Sequence, residues 1–304
     1  MTYSIVARDP DTGQMGVATH SQAFAVGSSV PWALPGYGVI ATQSMGEPMY
    51  GELGLDALRA GLTASEALTA LRSVDPHPER RQVAMVDGYG NFDVYTGEAC
   101  VTEAGHRVGE RCVALANMVA SPAVWEAMVD VCESTPGPLA TRLLAALHAA
   151  EEAGGDFRGQ RSAALLVVRA TRTGRPWRDQ LVDLRVDDHP SPVEELDRLV
   201  AHNANYHRTV EAFELALDGD PAAGLRHLAD VPLPDARRDA DVALWRAVIL
   251  GLAGRESEAA DLLGALREQA PAFIEAARRF QAVDLLPEAA WLDRLLGRND
   301  AHEG

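Results

Sequence analysis

The sequence contains no lysine, and all 27 of its basic residues are arginine. Lysine supplies the amine of a Schiff base, the cation of a phosphate-binding loop and one of the common general bases. The sequence therefore excludes all three kinds of site.

Cysteine is scarce as well. The three cysteines, Cys100, Cys112 and Cys132, are an odd number and are widely spaced. Disulfide frameworks and zinc sites use cysteines in even sets at regular spacing. We therefore expect three thiols packed in the core, a reducing compartment, and no metal or other cofactor.

Long apolar runs and basic clusters are missing too. No apolar stretch approaches the roughly 18 residues of a membrane-spanning helix, and the first residues lack the pattern of a secretion signal. The net charge of −17 is spread evenly along the chain, which makes nucleic acid and anionic membranes poor partners. These features predict a cytoplasmic protein that binds neither nucleic acid nor membrane.

Groups of strands alternate with pairs of helices in the first part of the chain. Short apolar runs between turn residues predict strands at 3–8, 15–20, 25–30, 37–43, 82–86, 92–95, 107–119, 162–170 and 180–186. Helical spacing predicts helices at 53–62, 64–71, from 121 onward and at 138–150, with Thr63 and Ser121 as N-caps. Paired helices do not suit a right-handed βαβ winding. The order predicts an α+β fold, an α-β-β-α sandwich with two antiparallel sheets between two helical layers.

The pattern becomes purely helical at about residue 191, which predicts a first domain over 1–191 and a helical region over 192–304. Within that region, 239–271 matches the tetratricopeptide repeat, a helix-turn-helix of 34 residues. Residues 206–231 would be a degenerate preceding copy, and 287–296 a final capping helix. A plain helical hairpin packed on the first domain is the alternative.

The second residue is the best candidate for chemistry. Threonine is small, so we expect Met1 to be removed, which would expose an α-amine beside the Thr2 hydroxyl. That amine, with a pKa of about 8, can act as the base that activates its own hydroxyl. A Met-Thr start is also common without any catalytic meaning, so position alone leaves both interpretations open.

Many short blocks of the first domain match one family. They lie at residues 2–13, 16–18, 24–27, 30–33, 41–43, 50–51, 54–55, 81–83, 86–87, 96–97, 100, 104–106, 117, 154–156, 159, 162–168 and 182–189. On these blocks the chain resembles the domain of unknown function 1028 family, which is placed among the N-terminal-nucleophile hydrolases. The resemblance implies that fold and implies Thr2 as the nucleophile.

Two departures from the family pattern concern the site. The segment 20–24 lacks a lysine that relatives carry, and Ala116 stands where relatives have a glycine before the asparagine. Proteasome-type sites use a lysine near the threonine to lower the pKa of that threonine. Here the α-amine alone, His20 or an arginine would have to do so.

Three further residues are candidate catalytic groups. A hairpin would return His20 and Ser21 to the start of the first strand, within reach of Thr2. The amide N–H of Asn117 could stabilise a developing oxyanion. The alternatives are that His20 is a structural histidine, that Ser21 is an ordinary strand-end hydroxyl and that Asn117 is a turn asparagine.

Candidate substrate-binding residues lie at other strand ends. Thr42 and Ser162 could line the same cleft, and Arg161 could pair with a substrate carboxylate. A surface ion pair is the more common fate of such an arginine. The acidic-histidine run at 187–189 resembles metal ligands, but no second carboxylate cluster supports a metal there.

These observations together predict an amidohydrolase that acts on a small amide or cyclic amide, with Thr2 as nucleophile. The alternative is a catalytically silent fold of the same type that serves as a dimerisation and protein-interaction scaffold. In either case we expect a homodimer, and the C-terminal helices could bind a protein partner.

Overall fold

The structure is a computed structural model, and it describes residues 2–283, 286 and 289–300. The chain forms two compact units, of which the first ends at Val200 and the second begins at Ala201. The division lies a few residues beyond the boundary predicted at 191, and each unit is described by itself.

Two antiparallel sheets form the first unit. The larger contains β1 (Thr2–Arg8), β2 (Met15–Ser21), β7 (Gly105–Val108), β8 (Cys112–Asn117), β9 (Ser162–Val168) and β10 (Gln180–Val186), in the order β10-β9-β2-β1-β8-β7. The smaller contains β3 (Pro31–Leu34), β4 (Gly38–Ser44), β5 (Arg81–Asp87) and β6 (Phe92–Thr96), in that order. Neighbouring strands are antiparallel in both sheets, as predicted.

Helices cover the outer face of each sheet. Helices α1 (Met49–Arg59) and α2 (Ala64–Val74) pack on the smaller sheet, and α3 (Ala123–Ser134) and α4 (Leu139–Glu152) pack on the larger one. The short α5 (Pro176–Asp179) leads into β10. Strand alternation explains the two faces of β1, because Val6 lies in the core between the sheets whereas Tyr3 and Ile5 face the helices. The layer order is therefore helices, sheet, sheet, helices.

Two predicted segments differ from the structure. The strand predicted at 25–30 is a 3₁₀ turn at Val26–Ser28, because Ala25 before it adopts a left-handed φ of 53° that breaks the extended chain. The strand forms instead at Pro31–Leu34, between the strands predicted at 25–30 and 37–43. Its position at the sheet edge tolerates the proline, which has no N–H to donate.

The segment 107–119 and the helix that follows it also need correction. Strands β7 and β8 form a hairpin there instead of one extended stretch. Helix α3 begins at Ala123 and has no side-chain cap, so Ser121 does not act as predicted. By contrast, the capping box of Thr63 and Glu66 at α2 is confirmed.

Helix α6 (Pro192–Leu217) contains the division between the units. The second unit continues with α7 (Pro221–His227), α8 (Ala240–Leu252), α9 (Glu256–Gln269), α10 (Pro271–Gln281) and α11 (Ala289–Asp300). Helices α8 and α9 form a hairpin whose turn contains Gly254 at a φ of 77°, and Ala243, Ala247 and Ala259 are buried between helices. The prediction of a helical C-terminal part is confirmed. Part of the capping segment predicted at 287–296 lies outside the described residues.

None of the described helices combines the length and the apolar character that a membrane crossing requires.

Candidate functional site

Thr2 begins β1 and lies opposite Asn117 of β8. Its side chain faces the space between the two sheets, on the same face as Ser4 and Val6, and only 6% of the residue is exposed. The Thr2 hydroxyl donates to Ser21 Oγ at 3.3 Å. The hairpin of β1 and β2 thus brings Ser21 to Thr2.

A buried amide network holds the Thr2 backbone. The Thr2 carbonyl oxygen accepts hydrogen bonds from Gln43 Nε2 at 3.1 Å and from Asn117 Nδ2 at 3.4 Å. Gln82 Oε1 accepts from the same two nitrogens, at 2.8 Å from Gln43 and 3.0 Å from Asn117. Ser4 Oγ donates to Gln43 Oε1 at 2.6 Å. These bonds connect the two sheets at the end where Thr2 lies.

Gln43 and Gln82 were not among the predicted site residues. The two glutamines lie opposite each other on β4 and β5, at one end of strands that are otherwise largely apolar. A buried amide needs hydrogen-bond partners, so polar residues at the ends of two apolar strands were the available signal. The signal did not show that the amides would reach the other sheet.

His20 does not lie beside the Thr2 hydroxyl. It pairs with Tyr3, so both side chains face α4 and lie on the opposite face of the sheet from Thr2. The His20 ring stacks on Tyr3 and has no solvent exposure. Burial lowers the pKa of His20 to about 4, so the imidazole is neutral at pH 7. Any effect of His20 on Thr2 must therefore pass through the strands.

A second polar cluster surrounds His20 behind the sheet. The Tyr3 hydroxyl donates to Glu151 Oε1, and Gln160 Nε2 donates to Glu151 Oε2 at 2.6 Å. His20 Nδ1 lies 3.7 Å from Glu151 Oε1, which is too far for a hydrogen bond. Burial raises the pKa of Glu151. Burial and the neighbouring Glu151 carboxylate together raise the pKa of Tyr3. This cluster fixes the strand positions next to Thr2 and Ser21.

The predicted substrate-binding residues do not converge on Thr2. The Thr42 hydroxyl donates to the Glu47 carbonyl at 3.3 Å. Thr42 points to the opposite face of β4 from Gln43, and it is Gln43 that reaches Thr2. Ser162 lies opposite Ser21 but uses its hydroxyl to hold the loop after β2, with the Ala23 carbonyl 2.6 Å away. Arg161 forms a surface ion pair at 3.0 Å with Asp188.

The backbone is unusual at the Thr2 end of the sheets. Four non-glycine residues in the described ranges have positive φ: Ala25, Ser44, Glu103 and Met118. Ser44 ends β4, and Met118 follows β8. The Glu103 backbone carbonyl accepts a hydrogen bond from the Val119 N–H. Such conformations cost about 1–3 kcal/mol each and cluster at functional sites. Ser44 and Met118 directly follow Gln43 and Asn117, so two of the four lie next to residues that hydrogen-bond to Thr2.

The acidic-histidine run at 187–189 contacts other parts of the first unit: Asp188 pairs with Arg161, and the Asp187 carbonyl accepts from the Ala25 N–H at 3.0 Å. Asp187 pairs with Arg185, and His189 Nδ1 accepts from the Ser191 N–H at 3.1 Å. Throughout the described ranges, no three His, Cys, Asp or Glu side chains are grouped so that they could hold a metal ion.

Comparison with known proteins identifies the family. The model of a family of unknown function, DUF1028, matches residues 2–196. The chain belongs to this family. The match confirms the resemblance drawn from the sequence blocks, and it leaves the activity open because the family's function is unknown.

Two solved structures are similar to part of this chain. A DUF1028 protein from Silicibacter pomeroyi is 33% identical, with a TM-score of 0.59 over 66% of this chain and 87% of that one. Anbu, an ancestral beta-subunit from Yersinia bercovieri, is 12% identical, with a TM-score of 0.32 over 62% of this chain and 88% of that one, which is too weak to support an inference. None of the curated proteins matches the chain.

Proposed function

We propose that this DUF1028 protein is an amidohydrolase of the N-terminal-nucleophile type, which acts on a small amide or cyclic amide. The nucleophile is the Thr2 hydroxyl after removal of Met1. The observation that carries the proposal is the contact of the Thr2 and Ser21 hydroxyls between the sheets, at a residue whose carbonyl is held by two buried amides. Such fixed geometry is what a nucleophile requires.

The reaction follows from these groups. The α-amine of Thr2 takes the hydroxyl proton while Thr2 Oγ1 attacks the carbonyl carbon, which gives a tetrahedral intermediate. The ammonium then returns that proton to the leaving nitrogen as the C–N bond breaks. Water, deprotonated by the same amine, hydrolyses the ester that remains on Thr2. Ser21 keeps the Thr2 hydroxyl oriented and can relay its proton.

An oxyanion donor is the least defined part of the site. Asn117 Nδ2 already donates to the Thr2 carbonyl and to Gln82 Oε1. Asn117 would have to leave both partners to face an oxyanion. A backbone N–H at the Thr2 end of the sheets is therefore the better candidate for this role.

The rest of the architecture fits the same proposal. We infer that the four-layer order belongs to the N-terminal-nucleophile hydrolase type and that α8 and α9 form a tetratricopeptide-like pair. Buried alanines between these helices and Gly254 at their turn support the second inference. A cytoplasmic homodimer whose C-terminal helices contact a protein partner completes the proposal.

One observation favours a different function. The side chains that hydrogen-bond to Thr2 in the described structure, those of Ser21, Gln43 and Asn117, are all neutral. A nucleophile with no ionisable neighbour depends on its own amine for activation. If that amine is blocked, the unit would be a silent dimerisation and interaction scaffold.

Intact mass and amide hydrolysis decide between the two functions. We expect purified, tag-free protein to lack Met1 and to hydrolyse at least one member of a panel of linear and cyclic amides. Thr2→Ala should abolish the activity, and Thr2→Ser should retain part of it because the hydroxyl and the amine both survive. Retained Met1, or a wild type that hydrolyses none of the amides, would favour the scaffold. Equal hydrolysis by wild type and Thr2→Ala would show that Thr2 is not the nucleophile.

A further inference from the structure

Because the chain has no lysine, an α-amine on Thr2 would be its only primary amine. An exposed α-amine has a pKa of about 8 and is mostly protonated at pH 7. A protonated amine cannot accept the hydroxyl proton. A group near Thr2 that disfavours the ammonium form would therefore increase the fraction of amine able to act as a base.

Two amide donors surround the carbonyl of the residue that would carry this amine. The Thr2 carbonyl belongs to the same residue as the amine, and its oxygen accepts from Gln43 Nε2 at 3.1 Å and Asn117 Nδ2 at 3.4 Å. Each N–H directs the positive end of its dipole toward Thr2. An ammonium group on this buried residue would lie near two N–H donors, and the adjacent carbonyl already accepts hydrogen bonds from both. In a low-dielectric site this arrangement disfavours the charged form of the amine.

The orientation of these donors is set by their other partners. Gln43 Oε1 accepts from Ser4 Oγ at 2.6 Å, so Gln43 Nε2 is the end that faces Thr2. Gln82 Oε1 accepts from both Gln43 Nε2 and Asn117 Nδ2. Gln82 Nε2 in turn donates to the Ala116 carbonyl at 2.8 Å, which fixes the Gln82 amide.

We propose that Gln43 and Asn117 form an amide clamp that holds the Thr2 α-amine in its neutral, basic form and fixes the backbone that carries the nucleophile. The proposal rests on the proposed role of Thr2. Gln43 and Asn117 are positioning residues, because they act through the Thr2 carbonyl and not on the reacting atoms. Asn117 thereby has a role other than that of an oxyanion donor.

Several ionisable groups lie on the elements that pack around Thr2. They are Tyr3, His20, His106, Glu151, Asp156 and Arg158. The carboxylates would favour the ammonium form, but Glu151 lies across the sheet and Asp156 is paired with Arg158 at 3.2 Å. His106 contacts Thr96 at the outer end of the network, and Arg81 on β5 is paired with Asp75 at 2.8 Å.

The absence of lysine permits a direct measurement. Reductive methylation of tag-free protein with ¹³C-formaldehyde labels the α-amine alone, which gives one NMR signal whose shift follows protonation. A Thr-Tyr-Ser peptide with a blocked C-terminus, labelled in the same way, is the reference. We expect the protein amine to titrate at a lower pH than the peptide amine.

Variants assign the shift to the amide clamp. We expect Gln43→Leu to return the titration toward that of the peptide, and Asn117→Leu to do so less because its donor is farther away. Thr96→Val is the matched control, since it removes a partner of Gln82 and leaves both donors to Thr2 in place. Thr96→Val should keep the wild-type titration, and a thermal melt of each protein verifies its fold.

Each outcome supports or overturns the proposal. A wild-type amine that titrates at or above the pH of the peptide amine overturns the proposal without any variant. The proposal is also overturned if Thr96→Val changes the titration as much as Gln43→Leu and Asn117→Leu do. A loss of about 10² in turnover for Asn117→Leu with an unchanged titration would make Asn117 an oxyanion donor instead. A low titration in a protein that hydrolyses no amide would support the amide clamp and contradict the proposed function. Retained Met1 overturns both.

Discussion

The imidazole of His20 stacks on the phenol ring of Tyr3, with 4.7 Å between their centroids and 22° between their planes. Neither ring nitrogen of His20 has a hydrogen-bond partner in the described structure, although both are buried. A charged imidazole in this position would be removed from bulk solvent and would have no hydrogen-bonded carboxylate. The site therefore selects the neutral ring.

The first prediction concerns the acid stability of the protein. In the unfolded chain His20 titrates near 6.5, whereas burial lowers the folded pKa to about 4. The unfolded state binds the extra proton between these values, so stability is complete above about pH 6.5 and falls as the pH decreases toward 4. The difference is worth about 3 kcal/mol. His20→Phe should flatten this part of the profile, measured by urea unfolding at pH 7 and pH 4.5.

A histidine on the surface is the control for this experiment. His77→Phe changes an exposed ring in the same unit and should keep the wild-type profile. The raised pKa of Glu151 acts in the opposite sense near pH 4.5, but Glu151 remains in both variants. The same loss of stability in wild type and His20→Phe would show that the imidazole is not the cause.

The second prediction concerns a buried ion pair near the end of α2. Asp75 accepts from Arg81 Nε at 2.8 Å and from the Tyr50 hydroxyl at 3.0 Å, and its side chain is 1% exposed. The hydrogen bonds from Arg81 lower the pKa of Asp75 to about 2. Asp75→Asn should destabilise the first unit by about 3 kcal/mol, because it leaves the Arg81 charge buried without its partner.

An exposed pair offers the matched comparison. Asp188→Asn breaks the ion pair with Arg161, in which both side chains are about half exposed, and should change stability by less than about 1 kcal/mol. Chemical denaturation at pH 7 measures both variants. Equal losses for Asp75→Asn and Asp188→Asn would contradict the role given to burial.

The fold was predictable because its elements have strong local signals. Apolar runs bounded by turns, and helices that occur in pairs, were enough to predict two antiparallel sheets between helical layers. The strand predicted at 25–30 failed because Ser162, distant in sequence, accepts from the Val26 N–H and helps to hold the 3₁₀ turn. A contact between residues 136 positions apart leaves no local trace in the sequence.

The candidate site was predictable only in part, for a geometric reason. Successive residues of a strand point to opposite faces, so His20 and Ser21 could not both reach Thr2. The register of β1 and β2 pairs His20 with Tyr3 and leaves Ser21 for Thr2. The same alternation separates Thr42 from Gln43. Register depends on the exact length of each turn, which the sequence pattern does not specify.

The third prediction concerns the boundary of the first unit. The start of α6 belongs to the core beneath the larger sheet, because Val193 and Leu196 are buried there. A chain truncated after Val200 should therefore melt cooperatively. One truncated after residue 190 should be less stable by about 3 kcal/mol or more, since burial of each such side chain contributes about 1.5–3 kcal/mol. Thermal melts of the two proteins make the comparison, and equal midpoints would place the boundary near 191.

The last prediction concerns the packing of the C-terminal helices. Gly251 of α8 lies so close to Trp291 of α11 that an added Cβ would be 2.2 Å from ring atom Cζ2. Gly→Ala in a helix normally gains about 1 kcal/mol, whereas overpacking a core costs about 1–3 kcal/mol. Trp291 is 4% exposed, so its ring has little room to move aside. We therefore expect the steric cost to dominate and Gly251→Ala to lower the stability of the second unit. Gly297→Ala, also helical but with nothing within 4 Å of its added Cβ, should raise stability by the helix gain alone. Denaturation of both variants tests the pair, and a stabilised Gly251→Ala would mean that α8 and α11 do not pack as closely as the structure has them.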